Sequence, residues 1–415
     1  MPAPDTARSR LHGGAAWARA AFAFAVLGLA LGRAVGSYAK TIPVGGDPWM
    51  TGDWLINYAG GFVRRGLFGD LFLALAPEGE PGLWVLFFFQ VGCYVLVLAY
   101  CTQVLVRTRF SWSAIAMICG PAALPFIGWD TQGGFRKEIL VFAILALLAW
   151  SRRNGATRAA MLLLIAGSLP LWALSVFSWE STAQLLPAVV YLLWSGSGRP
   201  LLVFRRSMAA LYAAVAAVGA IVSTVAHGDT GTPRLMCEAV RSRGFLGPDL
   251  CTAEAAGGGG IEAIGWTSAR AITDVAVSWP LYVGFLPLIA LALLPTLASA
   301  WFRANWGWFV AIMVGLAPMY FVVTDYGRWT HVLVMGLLFC VTAATPADLH
   351  SDVWNPLVAV LYVALWGMPH HLGPDGSFYG IGLVHTVVND IIRFVGDVLG
   401  FPTQAGLARA PGKAP

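Results

Sequence analysis

Apolar runs, many of about eighteen residues or more and some shorter, recur along the whole of this chain and limit how it can fold. In hydrocarbon every backbone polar group must be satisfied within its own segment, so such runs become helices. The runs predict spans at roughly 20–38, 82–106, 112–128, 138–150, 159–177, 182–196, 207–226, 276–300, 305–323, 330–345 and 354–369. Composition agrees: 58% of residues are hydrophobic and 11% charged, where a soluble domain carries about 25% charge. The 18 Trp, 23 Phe and 11 Tyr suit interfacial belts. The expected fold class is an all-α integral membrane protein of about 11 transmembrane helices (range 10–12), with interfacial helices on its outer face. Residues 1–400 read as a single polytopic membrane domain and 401–415 as a flexible C-terminal tail.

Two apolar stretches do not read as spans. The segment 380–400 carries His385, Asn389, Asp390, Arg393 and Asp397 and predicts an amphipathic interfacial helix. The segment 66–76 is too short to cross and predicts a helix at the interface.

Orientation follows from the short loops. Arg107 and Arg109, then Arg152, Arg153 and Arg158, then Arg199, Arg205 and Arg206, then Arg303 fall on one side with no acid between them. The positive-inside bias makes that side cytoplasmic, and Arg8, Arg10 and Arg19 of the N-terminal tail agree. Of the 21 acidic residues, all but Asp5, Asp348 and Asp352 then lie on the outer face or at the outer ends of helices. That face also receives the two large polar segments, about 39–66 and 227–275. The expected location is a bacterial inner (cytoplasmic) membrane, multi-pass, with the active face periplasmic. The net charge of +5 concerns topology, so no nucleic-acid partner is expected. Cys237 and Cys251 share one polar loop and are candidates for a disulfide, which needs an oxidising compartment. The other four cysteines sit in apolar runs as small hydrophobes.

The chemistry-bearing residues cluster on the outer face. The first outer loop reads GGDPWMTGDWLINYAGGFVRRGLFGD, with Asp47 and Asp53 followed by Asn57, Tyr58, a Gly pair, and adjacent Arg64 and Arg65. A carboxylate beside water can deprotonate a hydroxyl or hold a metal. Paired arginines suit bidentate phosphate contacts. The plainer reading is an interfacial helix with arginines snorkelling to headgroups. In the second cluster, Trp129 to Glu138, the cations Arg136 and Lys137 occupy a helix start, where Glu138 is favoured and cations are not. Their partner is either Asp130 and Glu138, in a salt-bridge network closing a helix hairpin, or a ligand phosphate. The third is Ser178-Trp179-Glu180-Ser181, whose Glu180 is costly beside hydrocarbon unless paired or used. The fourth, Thr324 to His331, holds Asp325, Tyr326 and Arg328; Asp325 and Arg328 can pair with each other. Arg234, Arg241 and Arg243 of the long loop run against the positive-inside bias and suit an acidic or phosphorylated substrate. His370 and His371 lack a third ligand at suitable spacing and read as interfacial. There is no Walker A, GxSxG, HExxH or CxxC motif, and no ladder of charges in mid-membrane.

The segments WLINYAGGFVRRGLFG, GGFRKE, SWES and DYGRW, in that order, resemble a group of bacterial multi-spanning proteins of cell-envelope polysaccharide loci. Their layout is similar to the GT-C superfamily of lipid-linked-sugar glycosyltransferases and to O-antigen-type polymerases. In GT-C enzymes the catalytic acid lies in the first extracytoplasmic loop, which implies that Asp53, or Asp47, is the general base. The paired-acid signature and soluble C-terminal domain of the better-known members are missing. O-antigen-type polymerases rely instead on arginines of large outer loops, a role that Arg64, Arg65, Arg234, Arg241 and Arg243 would suit.

The expected activity is therefore inverting transfer of a sugar from a polyprenyl-phosphate-linked donor to a glycan or lipid-linked acceptor. Asp53 is the expected base, with Asp47, Asp130 and Glu180 as further catalytic or acceptor-binding acids. Arg64, Arg65, Arg136, Lys137 and Arg328 would bind the phosphate. Asn57, Tyr58, Glu138, Trp179, Asp325 and Tyr326 would contact acceptor and sugar. No resident cofactor is called for, though a divalent metal ion is left open, and membrane lipids are the remaining partners. A polymerase of lipid-linked repeat units and a transporter or flippase of lipid-linked sugars are the alternatives, with a structural envelope subunit as a third.

Overall fold

The computed structural model describes residues 5–152, 157–194, 201–226, 228–245, 247, 251, 259–265, 268–322, 324–370 and 382–399. The expected tail 401–415, Arg153, Arg199, Asp249 and His371 lie outside them. Among the described residues sixteen α-helices follow one another: α1 (Asp5–Ala39), α2 (Leu67–Leu75), α3 (Glu80–Arg107), α4 (Trp112–Cys119), α5 (Phe126–Trp129), α6 (Glu138–Ser151), α7 (Arg158–Ser178) and α8 (Leu186–Trp194), then α9 (Leu202–Val225), α10 (Thr232–Ser242), α11 (Ser268–Leu297), α12 (Ala300–Leu316), α13 (Met319–Val322), α14 (Tyr326–Thr342), α15 (Pro356–Ala364) and α16 (Leu383–Leu399). Short 3₁₀ turns join them, and there is no strand among the described residues. The all-α expectation holds.

Four segments are long and apolar enough to cross a membrane among the described residues: Ala16–Val44, Glu80–Arg107, Arg158–Ser178 and Leu202–Val225. Several of the other expected spans are shorter or broken, and the sequence explains why. The expected span 112–128 ends as a helix at Gly120, and Pro121 and Pro125 keep it from resuming until Phe126. The span 182–196 begins as a 3₁₀ turn over Glu180–Leu185 and becomes α-helical only from Leu186. The span 354–369 shrinks to the nine residues of α15, which starts where the Asn355 side chain accepts from the Val358 backbone N–H. Near the start of α12, Asn305 leaves helical geometry. The segment 66–76 does hold a short helix, α2, and 380–400 holds α16, as expected.

Two helices are apolar almost all round, and the bundle is assembled about them. Every residue of α14 is buried, and so are all but two of α6. A helix with no polar stripe has to be enclosed by others, and here α6 packs on α3, α7, α8 and α14 while α14 also packs on α11 and α12. By contrast α3 and α9 turn large apolar side chains outward, among them Val85, Phe88 and Val95, and Leu211, Val218, Ile221 and Val225. Such surfaces are unfavourable in water and favourable in hydrocarbon. At one end of the bundle lie the starts of α6 and α14, the 40–66 segment and the turn before α8. At the opposite end lie the C-terminus of α6 and the starts of α7 and α9.

Candidate functional site

Two features fix the first outer segment before any charge is considered. Asp47 accepts from the backbone N–H groups of Trp49 (2.8 Å) and Met50 (2.6 Å), an Asx turn that closes the chain onto the end of α1. Asn57 donates to the carbonyls of Leu55 (3.0 Å) and Met236 (3.3 Å) and accepts from Ala59 N–H (2.9 Å). Both side chains are thus used in shaping the backbone, Asp47, expected as a catalytic acid, and Asn57, expected as a sugar contact, alike. The Asn57–Met236 bond also ties this segment to α10, as does the Arg64 N–H to the Ala226 carbonyl (3.0 Å).

The charged residues of four separate segments then meet. Arg65 makes a bidentate pair with Glu180, Nε to Oε2 at 2.7 Å and Nη2 to Oε1 at 2.6 Å, and Arg64 approaches the same carboxylate at 3.8 Å. Lys137, only 1% exposed, donates from Nζ to the Arg65 carbonyl at 3.0 Å. Arg328 pairs with Glu138 through Nε and with Asp325 through Nη1 at 3.3 Å. Arg136 is buried, with its guanidinium 4.7 Å from the centre of the Trp49 ring. Asp53, 3% exposed, lies in the field of Arg65, Arg136, Lys137 and Arg328, and its Oδ2 has no hydrogen-bond partner among the described residues.

Burying charges is unfavourable unless they are paired and hydrogen-bonded, and the titration of the groups reflects that balance. Burial alone would raise the Glu180 carboxyl, but the Arg65 and Arg64 guanidiniums outweigh it and hold the group at about 2. Burial would lower Arg65, and its pairing with Glu180 keeps it above its ordinary value. Lys137 has no such partner: burial pushes its amine down to about 8, against the pull of Asp53. The cluster holds five cations (Arg64, Arg65, Arg136, Lys137, Arg328) against four carboxylates (Asp53, Glu138, Glu180, Asp325), leaving one positive charge.

The backbone is strained where it frames this cluster. Arg65 (φ 71°) and Phe135 (φ 54°) both occupy the left-handed region, which costs a non-glycine residue about 1–3 kcal/mol. In return the Arg65 carbonyl reaches Lys137, and the Phe135 carbonyl receives both Trp54 Nε1 (2.9 Å) and Gln90 Nε2 (2.8 Å). The second outer segment covers the site. A Cβ at Gly260 would fall 2.5 Å from the Asp53 N and Cα atoms, so only glycine allows this approach. That segment follows the Cys237–Cys251 disulfide of the same outer segment, a bond that forms as expected. Arg243 of the same loop pairs with Glu78 at 2.9 Å, and Arg234 with Glu238 at 3.7 Å; neither reaches the cluster.

Other expected site residues are brought near without joining it. Asp130 accepts from His370, N–H at 2.8 Å and ring Nδ1 at 2.6 Å. Burial would raise the Asp130 carboxyl, but the His370 contacts lower it below the ordinary range. Its partner is thus His370, a residue read from sequence as interfacial, and not Arg136 or Lys137. The same His370 carbonyl accepts from Gly327 N–H, one residue from Arg328. Trp179 stacks on Trp329 at 5.8 Å with Arg328 over both rings. Tyr326 donates its hydroxyl to the Tyr320 carbonyl. Tyr58 packs on Phe62, and its N–H bonds Asp70. Among the described residues no group of three or more His, Cys, Asp or Glu could hold a metal ion.

Read alone, the sequence assigns no role to Gln90 or Gly260 and only an interfacial one to His370. Gln90 carried a legible signal, an amide amid the aromatic and aliphatic residues of an apolar span. The roles of Gly260 and His370 depend on contacts made far along the chain. Comparison with known proteins adds no constraint: no family model, no curated protein and no solved structure matches this chain.

Proposed function

We propose that this chain is a multi-pass membrane glycosyltransferase of about eleven spans. It would use a polyprenyl-phosphate-linked sugar on the outer face of a bacterial inner membrane. The observation that carries the reading is Asp53: a buried carboxylate with one oxygen unpartnered among the described residues, amid cations from two other segments. In this scheme the acceptor hydroxyl gives its proton to Asp53 while its oxygen attacks the anomeric carbon. The bond from that carbon to the donor phosphate breaks, and the polyprenyl phosphate leaves with the electron pair. Its charge is met by Arg136 and Lys137, fixed donors of the kind that stabilise developing charge. Arg65 has a narrower part than the sequence suggests, because Glu180 already occupies the Nε/Nη2 edge of its guanidinium. It holds Lys137 in place through its carbonyl.

Reconstitution in liposomes with a labelled polyprenyl-phosphate sugar and a mixed glycan acceptor tests the reading. New glycosidic product from the wild type, absent with Asp53→Asn in a correctly inserted protein, is the expected result. Donor that becomes accessible across the bilayer with no new bond would make the protein a flippase. Equal product from Asp53→Asn would remove Asp53 as the base.

A further inference from the structure

The opposite end of the bundle holds a second concentration of arginine with a different character. From Ile139 to Gly228 the sequence contains six arginines (Arg152, Arg153, Arg158, Arg199, Arg205, Arg206) and a single acid, Glu180, which is bound to Arg65 at the far end. Arg205 is the buried member, 6% exposed, in the first turn of α9. A cation there opposes the helix dipole. Its Nη2 caps the C-terminus of α6 by donating to the Ser151 carbonyl (3.2 Å), but its buried Nη1 has no hydrogen-bond partner among the described residues.

Two more guanidiniums lie at the same end of the bundle. Arg152, the residue after α6, lies 5.0 Å from the centre of the Tyr191 ring, bonds the Tyr191 carbonyl (3.3 Å), and repels Arg205. Arg206 lies 5.0 Å from the Trp194 ring. Tyr191 and Trp194 are three residues apart on α8 and so sit near one helix face, each carrying one of these two arginines. Asp348, an acid assigned to this side by the sequence, spends its Oδ2 on Thr345.

We propose that Arg205, Arg152 and Arg206 form a binding site for a phosphate group at this end of the bundle, with Arg205 Nη1 as its buried donor. Arginine suits a phosphate oxygen through its planar fork of donors. Basic pockets between membrane helices are where anionic lipid headgroups bind. The site is separate from the Asp53 cluster and stands whether or not the proposed reaction does.

The test is thermal unfolding of the full chain in neutral detergent with added phosphatidylglycerol, phosphatidylcholine or inorganic phosphate. The expected result is a saturable rise in Tm with phosphatidylglycerol and none with phosphatidylcholine. A matching rise with inorganic phosphate at millimolar concentration would assign the site to the free anion; a rise with the lipid alone would assign it to a headgroup. Arg205→Gln should raise the half-saturating concentration at least tenfold, and Arg205→Lys should recover part of that loss. Should Arg205→Gln fail to fold, Arg206→Gln, at an exposed position, should still weaken binding several-fold. No stabilisation by either anion beyond that of phosphatidylcholine, or unchanged binding in both glutamine variants, overturns the proposal.

Discussion

At one end of the bundle buried arginines meet carboxylates: Arg65 on Glu180, and Arg328 on Glu138 and Asp325. At the other end Arg205 is buried against a backbone carbonyl and the Met161 sulfur. The difference teaches how each end can be used. A paired network has most of its charge satisfied internally, so its chemistry is concentrated on the exceptions, Asp53 Oδ2 and the Lys137 amine. An unpaired arginine has to be offset from outside, which makes it a binding element and leaves it with no acid-base chemistry of its own.

The comparison can be broken most directly at Asp53. Asp53→Asn should lower glycan formation by about 10²-fold or more, the contribution of a positioned base, with little change in folded yield; full activity would equate Asp53 with its paired neighbours. Next, Arg328→Met should destabilise the protein by about 3–5 kcal/mol because it strands Glu138 in the core. Adding Glu138→Leu should restore most of that loss in detergent unfolding, and a single variant costing under about 1 kcal/mol would show that the pair is not desolvated.

Acid sharpens the contrast. The Glu180 carboxyl is held at about 2 in the folded state, below its ordinary 4.5. Its stabilisation is therefore complete above pH 4.5 and lost as pH falls from 4.5 to 2, by about 2–3 kcal/mol. Glu180→Gln should flatten that limb of the Tm profile, whereas variants at Arg205, which has no acid partner, should leave it unchanged. The smallest effect belongs to the exposed Arg234–Glu238 pair, where Arg234→Ala should shift stability by about 0.3–0.5 kcal/mol, and less in high salt.

Much of this was legible in the residues. The helical class, the one-sided distribution of acids and the disulfide candidates follow from hydropathy and loop charge, because those are local or additive properties. The grouping of Asp53, Arg64, Arg65, Lys137, Glu138, Glu180 and Arg328 at one end was also readable, since helix hairpins return the chain to the same face. Which charge meets which was not. Asp130 goes to His370 and Glu138 to Arg328, across 240 and 190 positions, and no periodicity encodes a contact over that range. Nor could composition separate the Asp47 that closes a turn from the Asp53 that keeps an oxygen unused.

By itself, then, the sequence determined that the chain is helical, apolar and asymmetrically charged, because the solvent preference of each segment is written in its own side chains. Only the tertiary structure decided which cations are neutralised and which are not. Pairing depends on where α6 and α14 begin relative to the loops that cap them, and on how closely a glycine such as Gly260 lets one segment lie over another.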